Sequence, residues 1–284
     1  MREITESRDL REWVRRERAA GRRIGFVPTM GALHEGHLTL VDEARRRADA
    51  IVMSVFVNPL QFGTGEDFER YPRDPARDRA LAEGRGVDLL FFPSVDAMYP
   101  PGAETRVVPG AVAERWEGSF RPGHFVGVLT VVAKLFHLVE PDIACFGQKD
   151  IQQATLVQRM VRDLDWPIDI VIAPTVREAD GLALSSRNAY LSAEERTAAM
   201  SISAGLGRAL SGWRSGERSA ETLAELVREQ MEVFPTVTPE YIAVVDPEQL
   251  SPVVTAYPRT IIAVAARVGG TRLLDNVILA PEPD

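Results

Sequence analysis

Five short runs, at residues 23–27, 51–57, 88–92, 143–146 and 168–172, are largely apolar at consecutive positions instead of alternate ones. A strand with two apolar faces must be covered on both, which is how parallel sheets lie between helices. Stretches with helical periodicity flank these runs, at about 7–20, 37–47, 75–83, 124–139 and 151–162. Strand and helix alternate, so this part of the chain predicts an α/β fold, a doubly wound parallel sheet of the Rossmann-like kind. After Pro174 the pattern changes. A hairpin around Ala179-Asp180-Gly181, two helices at about 192–212 and 219–234, and strands near 240–245, 260–268 and 272–279 predict a second, smaller α+β domain. We place the domains at 1–175 and 176–284.

In a doubly wound sheet, ligands lie beyond the carboxyl ends of the strands. Three polar segments follow predicted strand ends, at 28–37, 58–63 and 147–153. The first, Pro28-Thr29-Met30-Gly31-Ala32-Leu33-His34-Glu35-Gly36-His37, reads as a tight turn and a helix start with two imidazoles three residues apart. Gly31 and Gly36 let the backbone approach a ligand closely. A helix N-terminus offers free N–H groups and partial positive charge. His34 and His37 add donors, so the segment suits a polyphosphate. Zinc is the competing reading, but the metalloprotease signature spaces its histidines by four with a glutamate between them. Here the spacing is three and Gly36 intervenes. One cysteine and two other histidines leave too few ligands for a closed structural zinc site.

Composition narrows the function classes. The chain has 284 residues, 45% of them hydrophobic, and a net charge of −8, which argues against nucleic acid or an anionic membrane as partner. Cys145 is the lone cysteine, so no internal disulfide forms, as suits a reducing cytoplasm. The charged N-terminus is no signal peptide. The longest apolar run, 125–139, contains Lys134 and His137 and predicts a buried helix, not a membrane span. Of 33 basic residues, only Lys134 and Lys149 are lysine; the three asparagines are Asn58, Asn188 and Asn276. Arginine has taken nearly every site where any cation serves. A surviving lysine then marks a need for a compact ammonium.

Lys149 lies in Gly147-Gln148-Lys149-Asp150-Ile151-Gln152-Gln153, at a strand–helix junction where it is placed to meet phosphate. Asp150 there suits either a helix cap or a helix-dipole partner. Gln153, one turn on, can face the same cleft. Asn58-Pro59-Leu60-Gln61-Phe62 offers two amides and an aromatic ring after the second strand. Arg121-Pro122-Gly123-His124 is a basic turn before a helix. Gly181 to Asn188 places Ser185, Ser186 and Arg187 near the domain junction, where they suit a triphosphate.

Five motifs together resemble the pantothenate synthetase family: 28–37, Asn58-Pro59-Leu60-Gln61-Phe62, Arg121-Pro122-Gly123-His124-Phe125, Phe146-Gly147-Gln148-Lys149-Asp150 and Ser185-Ser186-Arg187-Asn188. They occur in the family's order and run from about residue 23 to 191. Position 148 is Gln where many members have Glu. His-x-Gly-His alone would indicate only the wider nucleotidyltransferase superfamily.

The resemblance implies condensation of pantoate with β-alanine, driven by cleavage of ATP to AMP and pyrophosphate with Mg²⁺, through a pantoyl adenylate. It implies His34, His37, Lys149, Ser185, Ser186 and Arg187 as catalytic donors. Met30, Gly36, Gly147 and Asp150 join them around ATP, with Asp150 as a helper for a metal held mostly by phosphates. Gln61 and Gln153 would bind pantoate, with Met30 and Phe62 as apolar walls and Asn58, Arg121 and His124 bordering the cleft. A homodimer follows from the same resemblance, in the cytoplasm that the lone cysteine suits. The 58–74 loop or the C-terminal domain, as a lid, is expected to move with ligand because the acyl adenylate must be kept from water. The competing classes are a simple nucleotidyltransferase, a tRNA synthetase and a nucleotide sensor without chemistry. A tRNA synthetase is disfavoured by the acidic charge and the lack of an anticodon-binding extension.

Overall fold

The computed structural model describes residues 1–280, in two units. The first comprises Met1–Glu114, Gly118–Gly147 and Leu156–Pro174; the second comprises Arg115–Glu117, Gln148–Thr155 and the chain from Thr175. The strands are β1 (Arg2–Ile4), β2 (Ile24–Thr29), β3 (Ala50–Val55), β4 (Leu89–Phe91), β5 (Ile143–Gly147), β6 (Asp169–Ala173), β7 (Val237–Val245), β8 (Ile261–Val268) and β9 (Thr271–Ile278). The helices are α1 (Ser7–Ala19), α2 (Glu35–Arg45), α3 (Pro75–Gly84), α4 (Val95–Met98), α5 (Glu117–Phe120), α6 (His124–Val139), α7 (Ile151–Asp163), α8 (Ala193–Arg214) and α9 (Ala220–Glu232).

In the first unit, six parallel strands lie in the order β1-β4-β3-β2-β5-β6. This is the α/β doubly wound sheet that the apolar runs imply. Every residue of β3 is buried, as a strand covered on both faces requires. On one face Val27, Ile51, Met53 and Leu90 pack with Leu40, Val41 and Ala44 of α2. Elsewhere Phe26 meets Phe136 of α6 edge-on, with ring centroids 6.3 Å apart. Helix α6 occupies 124–139, as its apolar run predicts, and thirteen of its sixteen residues are buried. The Cys145 thiol is buried among these layers, and desolvation pushes its pKa up to about 12, so it stays a neutral packing group.

Two boundaries and one added strand stand out against expectation. Strand β2 runs on through Pro28 to Thr29, although proline cannot donate to a ladder. Its pairing with β5 is confined to Gly25 and Phe26, so at Pro28 only β3 is alongside and the missing N–H is tolerated. Helix α2 begins at Glu35 instead of His37, because His34 is the extended residue that caps it. Strand β1 is an addition to the expected elements; it is three residues long and only Ile4 is buried.

The second unit has a three-stranded antiparallel sheet, β7-β8-β9, with α8 and α9, the smaller α+β arrangement. Its core joins Ile202, Leu206 and Trp213 of α8, Leu223, Val227 and Met231 of α9, and Ile262, Val264 and Val268 of β8. The 177–188 hairpin is reduced to one bridge, Arg177 to Ala183, followed by a 3-10 turn at Ser186–Tyr190. No helix of the described residues is long and apolar enough to cross a membrane.

Candidate active site

The turn between β2 and α2 is held from three sides. Thr29 Oγ1 donates to the Ser54 carbonyl at 2.7 Å and accepts from Gly31 N at 3.2 Å. Asp78 of α3, buried in the unit, accepts Ala32 N at 3.1 Å and Leu33 N at 2.8 Å. Gly31 has φ +84°, and a Cβ there would lie 2.8 Å from Asp78 Oδ2 and 2.9 Å from Val55 Cγ1. The bare Gly31 Cα therefore admits Asp78 and Val55. Ala32 follows at φ +50°, a left-handed position uncommon for a side chain with Cβ. Desolvation raises the pKa of Asp78, against the pull of the two backbone hydrogen bonds.

This turn sets His34 at the N-cap of α2 and His37 in its first turn. The imidazole centroids are 4.1 Å apart and tilted by 32°. His34 N donates to His37 Nδ1 at 3.4 Å. With Nδ1 accepting, a neutral His37 carries its proton on Nε2, which makes Nε2 a donor for an anion. Gly36 lies between them, half-buried.

A second cluster surrounds Gln61, on the 3-10 turn Pro59–Gln61 after β3. Asn58 is 1% exposed, and its Nδ2 donates to Gln61 Oε1 and to the Gly127 carbonyl, each at 3.0 Å. Its Oδ1 accepts from Leu60 N at 3.3 Å and from the Tyr99 hydroxyl at 2.9 Å. Asn58 thus spends its amide inside the protein and fixes the Gln61 side chain. Gln61 Nε2 in turn meets Met30 Sδ at 3.0 Å. The Gln61 carbonyl accepts His124 Nδ1 at 2.8 Å and Arg121 Nη2 at 3.2 Å. His124 Nε2 faces Arg121 Nη1 at 3.1 Å, so a neutral His124 with its proton on Nδ1 satisfies both contacts. Phe62 packs edge-on against Phe68 and Tyr71, with centroids at 5.3 and 6.0 Å. Elsewhere on α6, Lys134 Nζ lies 5.8 Å from the centroid of the Tyr99 ring.

Arg121 also grips Glu66 with two nitrogens, at 2.8 and 2.6 Å. Burial pushes the Glu66 carboxyl up, but the Arg121 hydrogen bond and charge pull it further down, for a net lowering from its ordinary value near 4.5. A lowered folded-state pKa stabilises above the unfolded value, and that stabilisation is lost as pH falls through the folded one. We expect Glu66→Gln to be less stable than the parent at pH 7 and to converge with it in acid, in thermal melts from pH 7 to 3. Parallel curves across that range would rule out this contribution.

In the second unit, the 3-10 turn Gln148–Asp150 carries Lys149, whose side chain is 20% exposed, with Asp150 Oδ2 at 3.6 Å. Lys149, Ser185, Asn188 and Asp275 line one small cavity. Ser185 caps the next 3-10 turn by accepting from Arg187 N at 3.3 Å, and Ser186 and Arg187 lie in that turn. Gln153 is half-buried near the start of α7. Its neighbour Gln152 is buried and binds backbone, accepting from Glu117 N at 3.1 Å and donating to the Arg115 carbonyl at 2.9 Å. Gly147 is the last residue of β5 in the first unit.

Sequence reading missed Asp78, Tyr99 and Glu66. Asp78 had a readable signal, since it shares the buried face of α3 with Ala82, four residues on, where an aspartate needs a partner.

The whole chain carries a family signature. The pantoate-beta-alanine ligase family model matches residues 2–278. The chain belongs to the pantoate–β-alanine ligase family. It is 50% identical to the pantothenate synthetase of Heliobacterium modesticaldum, over 98% of this chain and 99% of that one. It is 51% identical to pantothenate synthetase 1 of Bradyrhizobium diazoefficiens over the full length of both. The crystal structure of pantothenate synthetase from Thermus thermophilus is similar, with a TM-score of 0.94 and 50% identity, over 99% of this chain and all of that one. A family member from Francisella tularensis, crystallised with β-γ ATP and β-alanine, has a TM-score of 0.81 and 32% identity over both full lengths.

Proposed function

We propose that this chain condenses pantoate with β-alanine, using ATP and releasing AMP and pyrophosphate. The full-length match to the ligase family carries this reading. In the first step a pantoate carboxylate oxygen attacks the α-phosphorus of ATP and pyrophosphate leaves. That carboxylate is ionised at neutral pH, so no general base is needed. The barrier is the approach of an anion to a polyanion and the charge that moves onto pyrophosphate, which positioned donors lower. In the second step the neutral β-alanine amine attacks the acyl carbon of the adenylate, the C–O bond to AMP breaks, and the nitrogen gives up a proton to solvent as the amide forms.

His34, His37, Lys149, Ser185, Ser186 and Arg187 are the proposed donors to ATP, with Met30, Gly36, Gly147 and Asp150 beside them. His37 suits its role because His34 N donates to its Nδ1, which puts the proton of a neutral ring on Nε2. Gln61 and Gln153 are proposed to bind pantoate, with Met30 and Phe62 as apolar walls. Asn58, Arg121 and His124 act by fixing Gln61, as their hydrogen bonds suggest. Among the described residues, no group of three or more His, Cys, Asp or Glu side chains is placed to hold a metal ion. Mg²⁺ is proposed to be held mostly by the ATP phosphates, as a hard ion that keeps to substrate oxygens, with Asp150, its side chain 46% exposed, as a helper. When bound, it offsets the negative charge of the departing pyrophosphate. The working state is proposed to be a cytoplasmic homodimer.

Exchange of labelled pyrophosphate into ATP tests the reading. Exchange should require pantoate and proceed without β-alanine, and AMP should accumulate once β-alanine is added. Exchange that ignores pantoate, or no AMP release with β-alanine, would overturn the assignment.

A further inference from the structure

Asn276 lies on β9, the edge strand of the second unit's sheet, opposite Ala263 of β8, and it is 2% exposed. Its carboxamide is spent on one short segment. Nδ2 donates to the Gln148 carbonyl and to the Lys149 carbonyl, each at 2.9 Å. Oδ1 accepts from Gln148 Nε2 at 3.1 Å. Both amide hydrogens and one acceptor are thus committed to the turn that presents Lys149.

The adjacent residue extends the arrangement. Asn276 N donates to Asp275 Oδ1 at 2.8 Å. The Asp275 carboxylate also takes two nitrogens of Arg177, at 2.6 and 3.0 Å, and Arg177 Nη1 donates to the Gly181 carbonyl at 3.1 Å. Two neighbours on one strand therefore hold the Lys149 turn and the start of the segment bearing Ser185 to Arg187. Lys149, Ser185 and Asp275 line the same cavity. A buried amide needs all this pairing to be tolerated, and an apolar residue would fill the strand position without it. The three hydrogen bonds to residues 148 and 149 point to the turn, not the sheet, as the part this amide serves.

We propose that Asn276 is a positioning residue for adenylation, which sets the backbone of the Lys149 turn while Asp275 registers the 177–188 segment against it. The inference rests on the proposed phosphate role of Lys149. Pantoate-dependent pyrophosphate exchange in Asn276→Ala and in the near-isosteric Asn276→Asp, each alone and combined with Lys149→Ala, tests it. Aspartate keeps the shape but cannot donate to the two carbonyls. We expect each single variant to lower exchange by about 10²-fold, the scale of a misplaced reacting group. The pantoate KM should hold, and the further loss should be less than about 3-fold once Lys149 is alanine, because coupled groups are non-additive. A merely structural defect would multiply through both backgrounds. Exchange within about 3-fold of the parent, or an equal fold-loss with and without the lysine, would overturn the proposal. Where neither variant folds, Gln148→Ala, which removes the side-chain arm from outside the strand, decides by the same comparison, with several-fold expected. Near-normal exchange in Lys149→Ala alone would instead remove the underlying assignment of that lysine.

Discussion

Lys149→Ala should lower adenylate formation by roughly 10²–10³-fold, the scale for losing one preorganised donor. Lys149 lines a cavity with Ser185 and its side chain is 20% exposed, so a charge meeting it there is less screened than on an open surface. Lys149→Arg should restore only part of the loss. Arginine occupies 31 of the 33 basic positions, so its exclusion here reflects geometry, a point charge on a flexible stem against a planar fork. Single-turnover adenylate formation in rapid-quench experiments gives the number directly, with thermal melts as the folding control. A normal rate in the alanine variant, or full rescue by arginine, would defeat the argument.

The second large effect is expected at Gly127. Helix α6 passes under the 3-10 turn that carries Gln61, and a Cβ at position 127 would lie 2.2 Å from the Leu60 carbonyl oxygen and 2.6 Å from Gln61 N. Both neighbours are backbone, so the turn itself must move. Gly127→Ala should cost about 1–3 kcal/mol of stability, as overpacking does. It should also raise the KM for pantoate at least about 10-fold, because Asn58 binds the Gly127 carbonyl and holds Gln61 through the same amide. Melting curves and pantoate saturation measure the two effects separately. An unshifted melt with an unchanged KM would show that the turn and the helix are not packed as tightly as described.

What the sequence disclosed followed from local pattern. Helix α6 could be read closely because its apolar run lies between Gly123 and Glu140, and the backbone does turn left-handed at both. The buried strands were legible because two-sided burial leaves nearly continuous apolar letters, as in β3, where Ser54 alone interrupts them. Strand β1 was not, since an edge strand of three residues with one buried side chain carries almost no period. The segments now assigned to ATP and pantoate stood out by their types and their places after strand ends. Their supports did not, because each acts across a long stretch of chain. Asp78 reaches the turn 45 residues earlier and Asn276 a turn 127 residues earlier, and no short-range pattern encodes such pairings. Asn276 was conspicuous only as one of three asparagines.

The scarcity of lysine has a practical use. Apart from the N-terminal amine, an acylating reagent finds two primary amines in the native chain, one stacked near Tyr99 and one in the Ser185 cavity. Peptide mass spectrometry can resolve them without mutagenesis, with Lys134 as the internal standard against which the shielding of Lys149 is read. The wild-type protein thus carries a built-in footprinting probe for nucleotide occupancy.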